Sequence, residues 1–143
     1  MSRIDELRSN LAVLKDAISS AASAAGRSAD DIHVIAVTKT WPASDVRLLA
    51  ELGIRDFGES RDQEARLKFD ECRDLDATWH FVGQLQTNKV QNVVTYSDVI
   101  HSVDRERLIK ALGRAAVSSG RTVTALVQVS LDLDPDRGGV APN

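Results

Sequence analysis

Segments with the pattern of a buried strand alternate along this chain with segments that have the pattern of a helix. Residues Ile32–Lys39 are almost continuously apolar and rich in β-branched side chains, which is typical of a strand buried on both faces of a parallel sheet. The repeated signals predict an α/β fold whose helices connect parallel strands. The predicted strands are Ile32–Lys39, Ile54–Phe57, Trp79–Val82, Val99–Val103 and Val123–Val129.

The helices are predicted from apolar spacing and from capping residues. Ser2 is the expected N-cap of the opening helix, and Gly26 is its expected stop. Ser60 and Gln63 have the capping-box spacing at the head of a later helix. The apolar positions of the opening helix are Ile4, Leu7, Leu11, Leu14 and Ile18, and the later helices are expected to begin at Ser44, at Ser60, near Thr87 and at Asp104.

The spacing of the strand ends indicates a barrel. They recur at intervals of roughly two dozen residues, which is the repeat length of a compact (β/α) barrel. A doubly wound open sheet is the alternative. Eight such units need roughly 200 residues or more, whereas the chain has 143. We therefore interpret residues 1–143 as a single barrel domain of about the first five βα units, lacking its last strands and expected to be unstable alone or to need a partner segment.

Composition narrows the range of partners. The net charge is −3, so the surface is not basic overall and nucleic acid is not expected as a partner. No stretch has the length and hydropathy of a membrane span or the pattern of a signal peptide. The single cysteine, Cys72, suits a reducing cytoplasm. These features favour a cytoplasmic protein that binds a small molecule.

Lys39 is the main candidate for chemistry. A lysine that ends a buried strand loses hydration, and desolvation favours the neutral amine, which can form a Schiff base with an aldehyde. The carboxyl ends of barrel strands are where ligand sites lie. The alternative is a lysine that reaches solvent over the rim of the barrel.

Other polar residues fall on the same rim or on the strands. Ser60 follows Gly58 there, although it is also the expected cap of its helix. His33, His80 and His101 lie on three predicted strands, but His33 is near the amino end of its strand, so we expect no metal site. The sequence has no glycine-rich phosphate loop of the P-loop or dinucleotide type and no Gly-x-Ser-x-Gly elbow, so nucleotide hydrolysis and serine-ester chemistry are not expected.

Three sequence blocks resemble those of the pyridoxal phosphate homeostasis proteins, also called the proline synthetase co-transcribed family. They are Val37–Thr40, Phe57–Ser60 and Trp79–Lys89, and they occur in the family's order, with further similarity at His101–Arg105 and Leu126–Val129. The resemblance implies a barrel like the amino-terminal domain of alanine racemase. It also implies that Lys39 carries pyridoxal 5′-phosphate, as the lysine at the end of strand one does in the family.

The resemblance also bears on the remaining site residues. Family members usually have asparagine where this chain has Ser60. His80 corresponds to a residue of the pocket wall. In the family the phosphate is held by segments from the last barrel strands, which this sequence lacks, so phosphate-binding residues are not assigned.

The expected function is to carry or buffer pyridoxal phosphate without significant turnover. Related enzymes with this barrel add a second domain and a partner subunit that supply a further acid or base, and this chain has no room for one. The alternative is a racemase-type enzyme that uses Lys39 as its acid–base group, and a third reading is a structural module whose lysine is incidental. We expect a monomer, and the sequence names no acceptor enzymes.

Overall fold

A computed structural model describes all residues, 1–143. It contains one sheet of five parallel strands in the order β1-β2-β3-β4-β5. Each strand therefore lies beside its sequence neighbours, as in the wall of a (β/α) barrel, whereas a doubly wound sheet reverses its strand order at a switch point. The strands are β1 Ile35–Val37, β2 Asp56–Glu59, β3 Thr78–Phe81, β4 Val99–Val103 and β5 Thr124–Val127.

Helices alternate with the strands, which confirms the predicted order of elements. The segment predicted as a helix from about Thr87 is a 3₁₀ turn, Thr87–Lys89, followed by a single α-helical turn. A second 3₁₀ turn, Ala29–Asp31, precedes β1. None of the helices combines the length and hydropathy that a membrane crossing requires. The helices are α1 Arg3–Ala24, α2 Ala43–Glu51, α3 Asp62–Glu71, α4 Val90–Val93 and α5 Glu106–Ser119.

One of the predicted N-caps is confirmed and three are wrong. Ser2 caps α1 in a capping box with Asp5. Helices α2, α3 and α5 begin instead after Pro42, Arg61 and Arg105, without side-chain caps, and not at Ser44, Ser60 and Asp104. Ser60 lies one residue before the Arg61 N-cap, and the Asp104 carboxylate binds the Gly139 amide and Arg105. These side chains have other positions or partners, so they are not available as caps.

The sheet is open, and its two edge strands are less buried than predicted. Val37 at the end of β1 is 48% exposed, and every residue of β5 is exposed. The prediction that the first strand is buried on both faces is therefore wrong, and this strand is also shorter than predicted. An edge strand has only one neighbour in the sheet.

The hydrophobic core lies between the sheet and the helices. A larger group of buried residues packs α4 and α5 against β3 and β4, and includes Phe81, Ile100 and Leu108. A second group packs α2 and α3 against β1, β2 and β3 through Phe57 and Trp79, whose rings are 5.7 Å apart. The opposite face of the sheet carries the polar residues described next.

Candidate functional site

Lys39 lies two residues beyond the last residue of β1, at the carboxyl end of the sheet. Its side chain is exposed, and the chain's lysine ion pairs involve Lys68 and Lys110 instead. The expectation that burial desolvates Lys39 is therefore not met, because Lys39 lies in the exposed turn that follows β1. The Lys39 amine is accessible to a ligand that approaches the strand ends.

The strand register places Ser60 beside Lys39. Val37 pairs with Gly58, and the Thr38 amide donates to the Gly58 carbonyl over 2.9 Å, so the ladder continues past β1. Lys39 and Ser60 each follow this last pair by two residues, so both lie just beyond the carboxyl ends of β1 and β2. Ser60 is half-buried and does not cap α3. Two of the three predicted site residues are therefore neighbours at the rim.

Glycines allow the strands to approach closely at this rim. A Cβ atom at Gly58 would lie 3.2 Å from Val37 Cγ2 and 3.4 Å from Val82 Cγ1, which shows that these side chains share one face of the sheet. A Cβ atom at Gly83 would lie only 2.4 Å from the Ser60 carbonyl oxygen. Close packing of backbone therefore requires glycine at position 83, beyond any role in a turn.

His80 lies on the same face as Gly58, its partner in the register, one side-chain layer below Ser60. It is 8% exposed. Its Nε2 atom is 2.8 Å from Asp56 Oδ1, and its Nδ1 atom is 2.8 Å from His101 Nε2. The carboxylate accepts the Nε2 proton of His80, so in a neutral His80 ring the Nδ1 atom is the acceptor and His101 Nε2 the donor.

The three histidines do not form one group. His33 is exposed in the segment before β1, apart from the pair formed by His80 and His101. The pKa of His101 is lowered below its usual value of 6.5. Burial is the larger cause, and the nearby His80 ring is the second. The neutral form of His101 is therefore favoured. No three histidine, cysteine, aspartate or glutamate side chains are arranged to hold a metal ion.

Lys39 belongs to a tight turn with an unusual backbone conformation. The Trp41 amide donates to the Thr38 carbonyl over 3.0 Å, which closes a four-residue turn with Lys39 and Thr40 at its centre. Thr40 has a φ of 68°, in the left-handed region that costs a β-branched residue about 1–2 kcal/mol. The Thr40 amide donates to the Glu64 carboxylate of α3. This contact holds the strained residue in place.

A buried ion pair lies directly below the turn, and sequence analysis did not predict it. Lys68 Nζ is 2.5 Å from Glu59 Oε1, 2.7 Å from the Thr38 carbonyl oxygen and 3.3 Å from Glu64 Oε1. The Thr38 hydroxyl donates to the same Glu59 oxygen over 2.7 Å. Lys68 and Glu59 are 4% and 1% exposed. The sequence does contain one signal that could have indicated this ion pair. Lys68 follows Glu64 by four residues, and Ala65 between them lies on the apolar side of α3.

The far end of the rim is covered by the last residues of the chain. The Gly139 amide donates to Asp104 Oδ2 over 3.0 Å, and a Cβ atom at Gly138 would lie 2.6 Å from the Gln84 amide nitrogen. Val140 forms a parallel bridge with Val129, beyond the end of β5. Residues 138–140 thus pack over the ends of β3, β4 and β5, away from the Lys39 end.

A sequentially ordered parallel sheet with a lysine at the carboxyl end of its first strand defines a class of protein, the (β/α)-barrel domains whose ligand sites lie at the strand ends. Within this class, the chain belongs to the alanine racemase N-terminal domain family, whose model matches residues 3–143. The family assignment agrees with the resemblance found in the sequence. The predicted fold is thereby confirmed.

Curated relatives give a more specific likeness. The chain is 41% identical over 154 residues to the pyridoxal phosphate homeostasis protein of Mycobacterium bovis, covering 96% of this chain and 60% of the relative. It is 34% identical over 140 residues to the protein of the same name from Escherichia coli, with the same coverage. The chain thus spans about 60% of the length of the curated relatives it matches.

Solved structures give a consistent picture. The Synechococcus elongatus protein PipY, solved without pyridoxal phosphate, matches with a TM-score of 0.76 at 40% identity over 87% of this chain and 59% of that one. PipY with pyridoxal phosphate bound matches with a TM-score of 0.72 at 40% identity, over 85% and 57%. A Bifidobacterium adolescentis protein of unknown function matches with a TM-score of 0.87 at 30% identity, over 98% and 61%.

Proposed function

We propose that this chain binds pyridoxal 5′-phosphate as a Schiff base on Lys39 and that it carries or buffers this cofactor. The observation that carries the proposal is the exposed Lys39 amine at the carboxyl end of β1. Support comes from relatives named pyridoxal phosphate homeostasis proteins and from PipY, which has been solved with the cofactor bound. The cofactor would supply an aldehyde for covalent attachment and an electron sink.

The surrounding residues fit such a ligand. The Lys39 amine is accessible, whereas Lys68 is buried and bound to three oxygen atoms. Ser60, just beyond the end of the neighbouring strand β2, would contribute a small hydroxyl to the same rim. His80 lies one layer below and is held rigidly by Asp56 and His101, so it would form a wall of the pocket.

A carrier is favoured over an enzyme because the rim lacks an opposed acid–base group. Turnover of amino acids on this cofactor needs a positioned group that adds or removes a proton. The polar side chains nearest to Lys39 in the register are a serine hydroxyl and a histidine already engaged on both ring nitrogens. We therefore propose no significant turnover, with a racemase-type activity as the outcome that would contradict this.

The organisation of the protein is part of the proposal. Because all five strands belong to one sheet, we propose that residues 1–143 act as one cofactor-binding domain. We further propose a monomer that works in the cytoplasm, where its single cysteine stays reduced. The acceptor enzymes for the cofactor are not identified.

The proposal is tested by covalent trapping on the purified chain. Pyridoxal phosphate is added, the adduct is reduced with borohydride, and the labelled peptide is identified by mass spectrometry. The label is expected on Lys39 and should be lost in Lys39→Ala, whereas Lys89→Ala is the matched control because Lys89 is also exposed near the rim. An unchanged label in Lys39→Ala would overturn the assignment. Racemisation of alanine by the same preparation would favour an enzyme.

A further inference from the structure

We infer that the buried pair of Lys68 and Glu59, together with Glu64, is a positioning device that holds the Lys39 turn in the conformation needed for cofactor attachment. This inference rests on the proposed function and deepens it. The three side chains do not reach the ligand face themselves, since they lie between β2 and α3 on the helix side of the sheet. They act through the backbone of the turn.

The contacts converge on the turn from below. Lys68 Nζ donates to the carbonyl of Thr38, which also accepts the amide of Trp41 at the closing end of the turn. Glu64 accepts the amide of Thr40 and is 3.3 Å from Lys68 Nζ. Thr38 at the first end of the turn and Thr40 at its strained centre are thus bound directly to one charged cluster. Trp41 is linked to the cluster through the Thr38 carbonyl, which accepts both its amide and Lys68 Nζ.

Burial of this cluster is hard to explain by stability alone. Two charges removed from water lose hydration, and well-packed apolar residues of similar volume are often as stabilising as a buried ion pair. Glu59 Oε2 is buried without any hydrogen-bond partner, which adds to this cost. A role in fixing one backbone conformation accounts for a charged cluster where an apolar one would suffice.

The strained residue indicates what is being fixed. Threonine at a φ of 68° prefers other backbone conformations, so a turn without its anchors would relax and carry the Lys39 side chain with it. Small displacements of a reacting group strongly reduce the rate of bond formation. The cluster would therefore affect attachment at Lys39 without contacting the cofactor.

The decisive experiment separates positioning from stability. In Glu59→Gln/Lys68→Met the charges are removed together, so that no unpaired buried charge remains. We expect the folded chain to label at Lys39 with a rate constant lower on the order of tenfold. Amide exchange of Thr40 and Trp41, measured without the cofactor, should become faster. Lys110→Met is the matched control because Lys110 pairs with Glu106 at i,i+4 on the exposed surface of α5, and it should change neither quantity.

A second set of variants, at Glu64, keeps the inference testable if the double variant Glu59→Gln/Lys68→Met does not fold. Glu64 is partly exposed, so Glu64→Leu should fold while leaving the Thr40 amide without its acceptor. Glu64→Gln keeps an acceptor oxygen. Labelling should slow in Glu64→Leu, remain near the wild-type rate in Glu64→Gln and recover in Glu64→Leu/Thr40→Gly, because glycine adopts positive φ freely.

The outcomes distinguish this inference from the proposed function. If wild type labels at Lys39 and the folded cluster variants label at the same rate with unchanged amide exchange, the positioning role is wrong and the cofactor site stands. If wild type gives no label at Lys39, the proposed function fails. Faster exchange at Thr40 in Glu64→Leu without any change in labelling would also overturn the positioning role.

Discussion

The imidazole rings of His80 and His101 form a direct hydrogen bond of 2.8 Å across two adjacent strands. His80 is fixed on its other side by Asp56, at 2.8 Å. The three side chains therefore form a chain of hydrogen bonds across β2, β3 and β4 on the ligand face. Protonation of both rings would place two positive charges side by side and remove the acceptor at His80 Nδ1.

This arrangement predicts a loss of stability in mild acid. The pKa of His101 is lowered in the folded protein by burial and by His80, whereas the unfolded chain has the usual value of 6.5. Below pH 6.5 the unfolded chain binds a proton that the folded chain does not, so the free energy of unfolding falls as pH decreases towards the folded pKa. Denaturant unfolding at a series of pH values measures this slope.

His101→Gln should flatten that slope, because glutamine does not titrate. His33→Gln is the matched control: His33 is exposed and outside the hydrogen-bonded chain, so the slope should match that of wild type. Equal slopes in wild type and His101→Gln would show that the pair does not contribute to the acid sensitivity.

The close approach of Gly83 to Ser60 predicts a second effect on stability. A Cβ atom at position 83 would meet backbone atoms of Ser60 at 2.4 and 2.9 Å, and backbone cannot move aside as a flexible side chain can. Gly83→Ala should therefore lower the free energy of unfolding by roughly 1–3 kcal/mol, as overpacking does. It should also weaken labelling at Lys39, since it displaces the neighbouring rim.

Gly113 provides the matched control for Gly83. It lies within α5, and a Cβ atom there would meet nothing within 4 Å. Gly113→Ala should raise the free energy of unfolding by about 0.5–1 kcal/mol, because alanine has the higher helix propensity. A loss of stability in both variants would point to a general sensitivity of the chain to substitution and not to the contact at Ser60.

The order of strands and helices could be predicted from the sequence because it depends on local signals. Buried strands such as Trp79–Val82 stand out by their apolar side chains, and a left-handed glycine at Gly120 marks the end of α5. The position of Lys39 at a strand end followed from the same signals. The regular spacing of the strand ends, together with the order of strands and helices, then sufficed to predict part of a barrel.

Contacts that depend on register across several strands could not be predicted. The pairing of Asp56, His80 and His101 requires the relative offsets of β2, β3 and β4, and a shift of one residue would reverse the faces of the sheet. The capping role predicted for Ser60 failed because α3 begins one residue later than expected, so that Arg61 occupies the N-cap position. Local signals also left open whether Lys39 is desolvated or reaches solvent, and the structure shows it exposed in the turn after β1.

Arg3 joins α1 to the region of the Lys39 turn, so its substitution is predicted to affect both the stability of the fold and the turn. Its guanidinium is 2.6 Å from Asp45 Oδ2 in α2 and lies 4.8 Å from the centre of the Trp41 ring. Asp45 is only 6% exposed. Arg3→Met would leave this carboxylate buried without its partner, so the free energy of unfolding should fall.

The comparison with Arg8 separates this effect from the loss of a charge on α1. Arg8 forms an exposed pair with Asp5 at 2.6 Å, and such pairs contribute little, so Arg8→Met should change the free energy of unfolding by less than about 0.5 kcal/mol. In Arg3→Met/Asp45→Asn the buried charge is removed as well, and part of the stability should return. Because Trp41 closes the Lys39 turn, amide exchange at Trp41 should become faster in Arg3→Met and remain unchanged in Arg8→Met. Equal effects of the two arginine variants would show that α1 is held by its apolar contacts and not by the ion pair with Asp45.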